Sequence, residues 1–240
     1  WLHILVVFAF LNYLPYSKHL HIFFAFPNTY FARLTEKGEM ENMPAIMNEV
    51  KSMMGFPDAP PSEMGADGEL PVFGSNDVHN LSWKNILDAY SCTECGRCTA
   101  QCPANQTGKK LSPRKIMMDV RDRAEEIGNK LDSGSKEYIQ ADKQSDDAVL
   151  SIANFDDQKS LFDYISREEI HACTTCNACV EACPVLINPL DIILKLRRYE
   201  ILTESAGPGE WLPLFNSIEN GGSAWQMAQD RDKWAADLEA

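Results

Sequence analysis

No cysteine stands apart in this chain. All 8 fall into two short groups, Cys92, Cys95, Cys98, Cys102 and Cys173, Cys176, Cys179, Cys183, so no odd thiol is left over. Spread over 240 residues, they are too sparse for the disulfide framework of a small secreted domain. Positive charge is scarce as well: 22 Lys and Arg face 35 Asp and Glu, and a net charge of −13 argues against nucleic acid as a partner. The acidic residues crowd into positions 142–157 and the last eleven, a pattern that solvates a surface and carries no chemistry. The amino-terminal segment lacks the basic start and the small-residue cleavage site of a secretory signal. Between Cys102 and Cys173 there is no convincing two-residue alternation of apolar and polar side chains, which leaves strands without a sequence signal.

What is present is a doubled metal motif. Each group reads C-x2-C-x2-C-x3-C and is followed directly by proline, Pro103 or Pro184. This run holds [4Fe-4S] clusters in bacterial ferredoxins, where the fourth cysteine ligates the other cluster of the pair. On that rule Cys92, Cys95, Cys98 and Cys183 hold one cluster, and Cys173, Cys176, Cys179 and Cys102 hold the second. Two-residue spacers let one tight loop cap three irons of a cube, and the proline turns the chain away after the fourth ligand. Soft thiolates suit iron-sulfur. Zinc sites use separated cysteine pairs instead of four ligands within eleven residues. The compartment implied is a reducing one.

The chain opens on tryptophan inside an apolar run, residues 1–14, that resumes at 22–26, and it reads as truncated at this end. The run alone has the length of a buried core helix. As one helix, residues 1–26 rise about 39 Å, enough to cross a bilayer, so a transmembrane helix is expected over residues 1–27. Tyr13, Tyr16, Lys18 and Tyr30 serve as interface anchors, and Lys18, Arg33 and Lys37 mark the cytoplasmic side. His3 and His21 are 18 residues apart, which on a straight helix is five turns, one face and about 27 Å, a spacing that suits two stacked haems. Histidine is a usual axial ligand, and an ionisable residue inside a membrane helix is a functional candidate. The plainer alternative for His21 is a place at headgroup level beside Lys18 and His19.

Residues 28–75 read as a juxtamembrane helix and linker. Met43, Ile46, Met47, Val50, Met53 and Met54 recur at helical spacing, giving an amphipathic helix suited to a membrane surface or to core packing. Residues 55–75 then carry Pro57, Pro60, Pro61, Pro71 and four glycines, the composition of an extended linker. The cluster domain is expected over residues 76–204, and its cysteines repeat at an offset of 81. In the first half residues 81–90 read as helix, the cysteine loop follows, and Ser112-Pro113 opens a second helix. Its apolar stripe is Ile116, Met117, Val120, Ala124 and Ile127, and Gly128 ends it. The second half repeats the plan with a helix over residues 161–172, the loop, then Asn188-Pro189 opening a helix through Ile192, Ile193, Leu196 and Ile201. The fold class is mainly α: an α-helical ferredoxin of two helix, cluster loop, helix repeats, preceded by a transmembrane helix. Gly96 and Gly108 serve tight turns. Arg97, Lys109, Lys110 and Arg114 read as solvated charge, and His171 as an ordinary helix-end histidine.

Two resemblances extend this. The stretch Pro15-Tyr16-Ser17-Lys18-His19-Leu20-His21-Ile22-Phe23 resembles the end of the last helix in the gamma subunit of respiratory nitrate reductases, a di-haem b protein. That resemblance places His3 and His21 on the positions of one ligand for each haem b, with the partner histidines on an earlier helix. The second carries the domain. Cys92-Thr93-Glu94-Cys95-Gly96-Arg97-Cys98, Cys102-Pro103-Ala104, Thr107-Gly108-Lys109 and Leu111-Ser112-Pro113-Arg114 are similar to the heterodisulfide reductase D-type family. So are Ala172-Cys173-Thr174-Thr175-Cys176, Val180-Glu181-Ala182-Cys183-Pro184 and Arg197-Arg198-Tyr199. This resemblance spans roughly residues 81–234 and implies iron-sulfur subunits of glycolate, lactate or glycerol-3-phosphate oxidation, or a membrane-fused branch linking electron-transfer flavoprotein to menaquinone. The family's CCG repeats, which hold a substrate-side cluster, are absent, so residues 205–240 read as a connector to a further domain.

The function expected is electron transfer through two [4Fe-4S] clusters in a membrane-bound, menaquinone-linked oxidoreductase of the inner (cytoplasmic) membrane, with the cluster domain on the cytoplasmic side. The partners implied are the membrane, the quinone pool and a soluble redox protein such as an electron-transfer flavoprotein or a dehydrogenase subunit. No acid, base or nucleophile is assigned. A non-catalytic iron-sulfur adaptor and a soluble disulfide reductase module are the rival readings.

Overall fold

A computed structural model describes residues 1–17, 19–36, 39–40, 42–56, 72–140, 149–224 and 238. The anchors Lys18 and Lys37, most of the proline-rich linker and Trp225 lie outside the described residues. Among those described there is no strand, only a single antiparallel bridge between Ile139 and Phe155.

The apolar amino-terminal segment does not form one helix. α1 (Leu2–Tyr13) passes into a 3-10 turn, Leu14–Tyr16, Ser17 is extended, and α2 (Leu20–Tyr30) starts afresh. Pro15 is the cause: it has no N–H to give the carbonyl four residues back, and its ring crowds that carbonyl. Ser17 reinforces the break, its hydroxyl donating to the Leu14 carbonyl at 2.9 Å and accepting from the His19 N–H at 3.2 Å. The expected single span is corrected accordingly: among the described residues no helix is long and apolar enough to cross a membrane. α1 rises only about 18 Å, against about 30 Å of bilayer hydrocarbon. It is apolar on every side and exposed along its whole length.

α3 (Pro44–Met53) is the amphipathic helix anticipated there, with Met53 and the following Met54 exposed. α4 (Trp83–Ser91) opens on a capping box, in which Ser82 accepts from the Asn85 N–H and the Asn85 side chain answers the Ser82 N–H. α2 packs on α4, its Phe24 ring edge-on to Tyr90 at 6.2 Å, and Phe31, just beyond α2, edge-on to Trp83 at 5.3 Å. Between them the fully buried Asn28 donates to the Val185 carbonyl at 2.9 Å and accepts from Lys84 Nζ at 2.9 Å. Hence residues 22–26 dock on the cluster domain instead of extending α1.

After α4 come the short α5 (Arg97–Ala100) and α6 (Pro103–Gln106), then the long α7 (Pro113–Ser133). Ser112 caps α7 and Pro113 takes its first position, as read from the sequence, but the helix runs past Gly128 to Gly134, which closes it with φ 63°. An isolated glycine costs only about 1 kcal/mol in a helix. Buried Ile127 and the Lys130 ion pairs to Glu126 and Asp157 carry the helix through it. The helix expected over residues 161–172 is likewise two pieces, a 3-10 turn Leu161–Asp163 and α8 (Arg167–Ala172). Ser166 begins a second capping box with Glu169, which restarts the chain. α9 (Ala178–Glu181) sits in the second cysteine loop. α10 (Pro189–Arg198) follows its Asn188 cap and continues as one π-helical stretch, Tyr199–Thr203, which leaves Ile201 exposed. α11 (Trp211–Gly221) shows Leu212, Leu214, Phe215 and Ile218 to the outside.

The two halves share one core. Ala89 of α4, Ile116, Met117 and Val120 of α7, Leu161, Ile165 and Ile170 around α8, and Ile192, Ile193 and Leu196 of α10 form a single buried cluster. The chain is drawn in already at Gly74, whose φ is +82° and where a Cβ would stand 2.4 Å from the Lys195 carbonyl oxygen; the next N–H, of Ser75, donates to that carbonyl at 3.1 Å. Arg123 of α7 is fully buried within an ionic knot. It grips Asp77 through Nε and Nη2 at 3.1 and 2.6 Å, and Asp157 through Nη1 and Nη2 at 2.6 and 2.7 Å. Asp157 is therefore not part of a solvated acidic surface, as the charge pattern suggests. It locks residues 155–160 to α7 and to the start of the domain.

Candidate iron-sulfur centres

Each cysteine loop is built the same way. α4 ends on Cys92 and α8 on Cys173, both in extended backbone. Two left-handed residues then fold the loop back, Glu94 (φ 54°) and Gly96 (φ 78°) in the first, Thr175 (φ 56°) and Asn177 (φ 62°) in the second. A single helical turn carries the third cysteine, Cys98 on α5 and Cys179 on α9. Cys102 then caps α6 with Pro103 at its first position.

The fourth cysteines change sides. Cys183 and the residues after it, Val185 and Ile187, line one small cavity with Cys92, Cys95 and Cys98 of the other loop. Reciprocally, Cys102 is among the thiols felt electrostatically by Cys173 and Cys179. The two sets adjoin, because Cys98 is also within electrostatic reach of Cys179. Among the described residues no three His, Cys, Asp or Glu side chains are drawn in as a single metal ion would require.

Burial and backbone donors act on these thiols in opposite senses. Burial pushes the thiols of Cys92, Cys98, Cys173 and Cys183 up, and that of Cys179 up to about 12. Exposed Cys95 goes down instead, chiefly through the Arg97 backbone N–H. Further N–H groups aim at sulfur: Thr175 donates to Cys173 Sγ at 3.4 Å and Ile187 to Cys183 Sγ at 3.3 Å. Such donors stabilise the thiolate that a metal ligand must be. Four soft donors around the first space, backed by N–H groups and walled by Met117, Ile187 and Pro189, fit a cube.

Beside Cys92 opens a groove of about 730 Å³, lined by Tyr16 and His21 from the amino-terminal segment and by Tyr90, Arg121 and Glu125. His21 stands here, its ring 6.4 Å from that of His19, while His3 lies on α1 beyond the break at Pro15. The straight-helix geometry that paired His3 with His21 as haem b ligands is therefore not formed. Gly108 adopts a left-handed turn with φ 82°, as anticipated, and exposed Lys110 pairs with Glu168. His171 is more than a helix-end histidine: its Nε2 lies 2.8 Å from Glu200 and its ring is edge-on to Trp211 at 5.1 Å. Sequence reasoning missed Arg197, which donates from Nε to the Ile170 carbonyl at 2.8 Å and from Nη2 to the Cys173 carbonyl. Its position, eight residues past the proline that opens α10 and matching Arg121 past Pro113, was the available signal.

Comparison with known proteins agrees with this chemistry. Residues 91–187 match the family model of the 4Fe-4S dicluster domain. The probable iron-sulfur-binding oxidoreductase FadF of Bacillus subtilis is 32% identical over 98% of this chain and 32% of its own length. An EtfAB:quinone oxidoreductase of Syntrophomonas wolfei is 28% identical over 94% of this chain and 29% of its own. A probable membrane-anchored ferredoxin of Chromohalobacter salexigens is 29% identical over 72% and 25%. Components of CoB-CoM heterodisulfide reductases from Methanosarcina mazei match more briefly, at 27% identity over 56% of this chain in one case and 31% over 48% in another. The chain thus spans about a third of the length of the first curated relatives it matches. No solved structure matches it. The resemblance to heterodisulfide reductase components holds at this level, and the nitrate reductase-like haem helix is not among these findings. The chain carries a 4Fe-4S dicluster domain and is similar to iron-sulfur electron-transfer oxidoreductases along nearly its whole length.

Proposed function

We propose that this chain relays single electrons through two [4Fe-4S] clusters inside a membrane-bound, menaquinone-linked oxidoreductase, with a soluble redox protein such as an electron-transfer flavoprotein or a dehydrogenase subunit as its other partner. One observation carries the reading: Cys183 of the second motif lines the cavity of Cys92, Cys95 and Cys98 in the first. Cys92, Cys95, Cys98 and Cys183 would hold the first cluster; Cys173, Cys176, Cys179 and Cys102 the second. The clusters, when bound, supply the one-electron chemistry. The chain supplies the rest. Its N–H groups at Thr175 and Ile187 favour the ligands as thiolates, and Met117, Ile187 and Pro189 keep water from the first site.

The membrane part of the proposal is supported by α1. A helix apolar all round and exposed throughout needs a non-aqueous covering, and α1 would dip into the inner membrane with the cluster domain on the cytoplasmic side. The quinone in the Syntrophomonas relative's name supports a lipid-soluble partner. Anaerobically purified protein should hold about eight iron and eight sulfide per chain. A preparation holding zinc alone would end the reading. Flotation with liposomes of the chain's own lipid class, lost on deleting residues 1–13, tests the membrane contact separately.

A further inference from the structure

We infer that Arg197 sets the reduction potential of the second cluster, the one assigned to Cys173, Cys176, Cys179 and Cys102. This rests on the cluster reading above and concerns a residue that is not a ligand.

The argument is a comparison of the two halves. Arg121 and Arg197 each lie eight residues past the proline that opens their helix, Pro113 or Pro189. Each reaches back to the cysteine loop of its own half. There they meet different partners. Arg121 Nη1 pairs with Glu94 Oε1 at 2.7 Å, and its Nε lies 3.3 Å from Asp122. Glu94 sits two residues after the first cysteine of its loop. The same place in the second loop is Thr175, with the same left-handed backbone, φ 56° against 54°. At this place the two loops share a conformation, and one carries a carboxylate where the other carries a hydroxyl. Half-buried Arg197 instead donates to two neutral carbonyls, Ile170 and Cys173. The carboxylate nearest its reach, Glu200, is bound by Arg167 at 3.1 Å and by His171 at 2.8 Å.

Reduction adds one electron to a cluster and one negative charge to its surroundings. A guanidinium fastened to the carbonyl of a ligand, with no carboxylate partner among the described residues, favours that added charge. Exposed Arg97 and Arg114 border the first cavity but face solvent, which screens them. Arg121 is neutralised where it stands. Removal of Arg197 should therefore act on the second cluster, whose ligand carbonyl it holds.

The test is an EPR-monitored potentiometric titration of the loaded full chain, each electron coming from a mediator poised at a known potential. The two waves are assigned by the one that Cys176→Ser removes or displaces. Arg197→Gln should lower the second cluster's reduced-to-oxidised ratio at the parent midpoint about tenfold, which is 59 mV for one electron, and leave the first wave in place. Arg197→Lys, keeping charge but losing the fork, should stay near the parent. Thr175→Glu, which supplies the missing carboxylate without touching Arg197, should lower the same wave. Equal shifts for Arg197→Gln and Arg197→Lys, or equal shifts of both waves, would mean that Arg197 only holds the loop, and would overturn the inference. If Arg197→Gln fails to load, an unmoved wave in Thr175→Glu does the same. Failure of the underlying reading would look different: too little iron in the parent protein.

Discussion

Exchange of the fourth ligand between the loops can be tested with one atom. Cys183→Ser replaces a sulfur that belongs by sequence to the second motif but faces the cavity of the first, beside Cys92, Cys95 and Cys98. A serine oxygen is a hard donor and a poor ligand for an iron-sulfur cluster. Losing one ligand of one cube should cost that cube alone, so iron should fall from about eight to about four per chain, with sulfide in step. Stoichiometry by itself does not say which cube survives. The Arg197-sensitive wave of the redox titration does, because Arg197 is bonded to the Cys173 carbonyl. In Cys183→Ser that wave should persist; in Cys102→Ser it should vanish while the other remains. The opposite pattern, Cys183→Ser erasing the Arg197-sensitive wave, would mean that each loop ligates its own cluster, and the crossed arrangement would be refuted.

Arg123→Met leaves Asp77 buried without its guanidinium and Asp157 with Lys130 alone, and should destabilise the chain by about 3–5 kcal/mol. It should lower the Tm by about 10 °C, and Asp77→Asn with Asp157→Asn in the same chain should restore much of that; a drop of under about 2 °C would contradict the buried knot. Acid acts on the same region. The hydrogen bond from Lys130, then that from Tyr164, lowers Glu126 from its ordinary 4.5 to about 2. A depressed carboxylate contributes stability above its unfolded value and loses it as pH falls through the folded one. Thermal stability should therefore decline between pH 4.5 and about 2, and Glu126→Gln should flatten that decline. Asn28→Ala should cost about 1–3 kcal/mol by leaving the half-buried Val185 carbonyl without its donor and Lys84 with Asp88 alone, and should speed amide exchange in α2 more than in α7. Removing the clusters under anaerobic chelation should expose residues 92–98 and 173–179 to protease before α7 and α10.

The cysteine pattern was legible because ligand spacing is local: three ligands in seven residues fix a loop whatever surrounds it. Helix starts at Ser112-Pro113 and Asn188-Pro189 were legible for the same reason, since cap and proline act on neighbouring backbone. Other features depend on distant partners or on competition between signals. Gly128 looks like a stop, yet Lys130 beyond it is held by Asp157, a residue remote in sequence. Apolar composition hid Pro15, and one proline outweighs the whole run in deciding where a helix breaks. Arg123 looks like one more charge on a polar helix face until Asp77 and Asp157, one before it and one after it in the chain, close over it. Glu94 and Thr175 were visible in the sequence, but their difference means nothing until both loops are seen to share one conformation.

The shared core and the exchanged cysteines make the same demand on folding. On the proposed crossed assignment neither half would complete its metal site alone, because each set of four thiols would need Cys183 or Cys102 from the opposite loop. Nor can either half bury its apolar stripe alone, because α7 and α10 pack on each other through Val120, Ile116, Ile192 and Leu196. Residues 155–160, clamped to α7 by Arg123, join the halves, so loss of that knot would misplace the second loop relative to the first. The two thiol sets are held rigidly adjacent as a result, with Cys98 and Cys179 within each other's field. Beyond this rigid pair the molecule is unlike at its two ends. The first set opens on the groove beneath the α1–α2 elbow, with Tyr16 and His21 on its wall. On the other side His171, two residues before Cys173, stands edge-on to Trp211 of α11. In the proposed relay anchored through α1, a lipid-soluble partner would approach from the side of the groove, whose wall includes Cys92 of the first set.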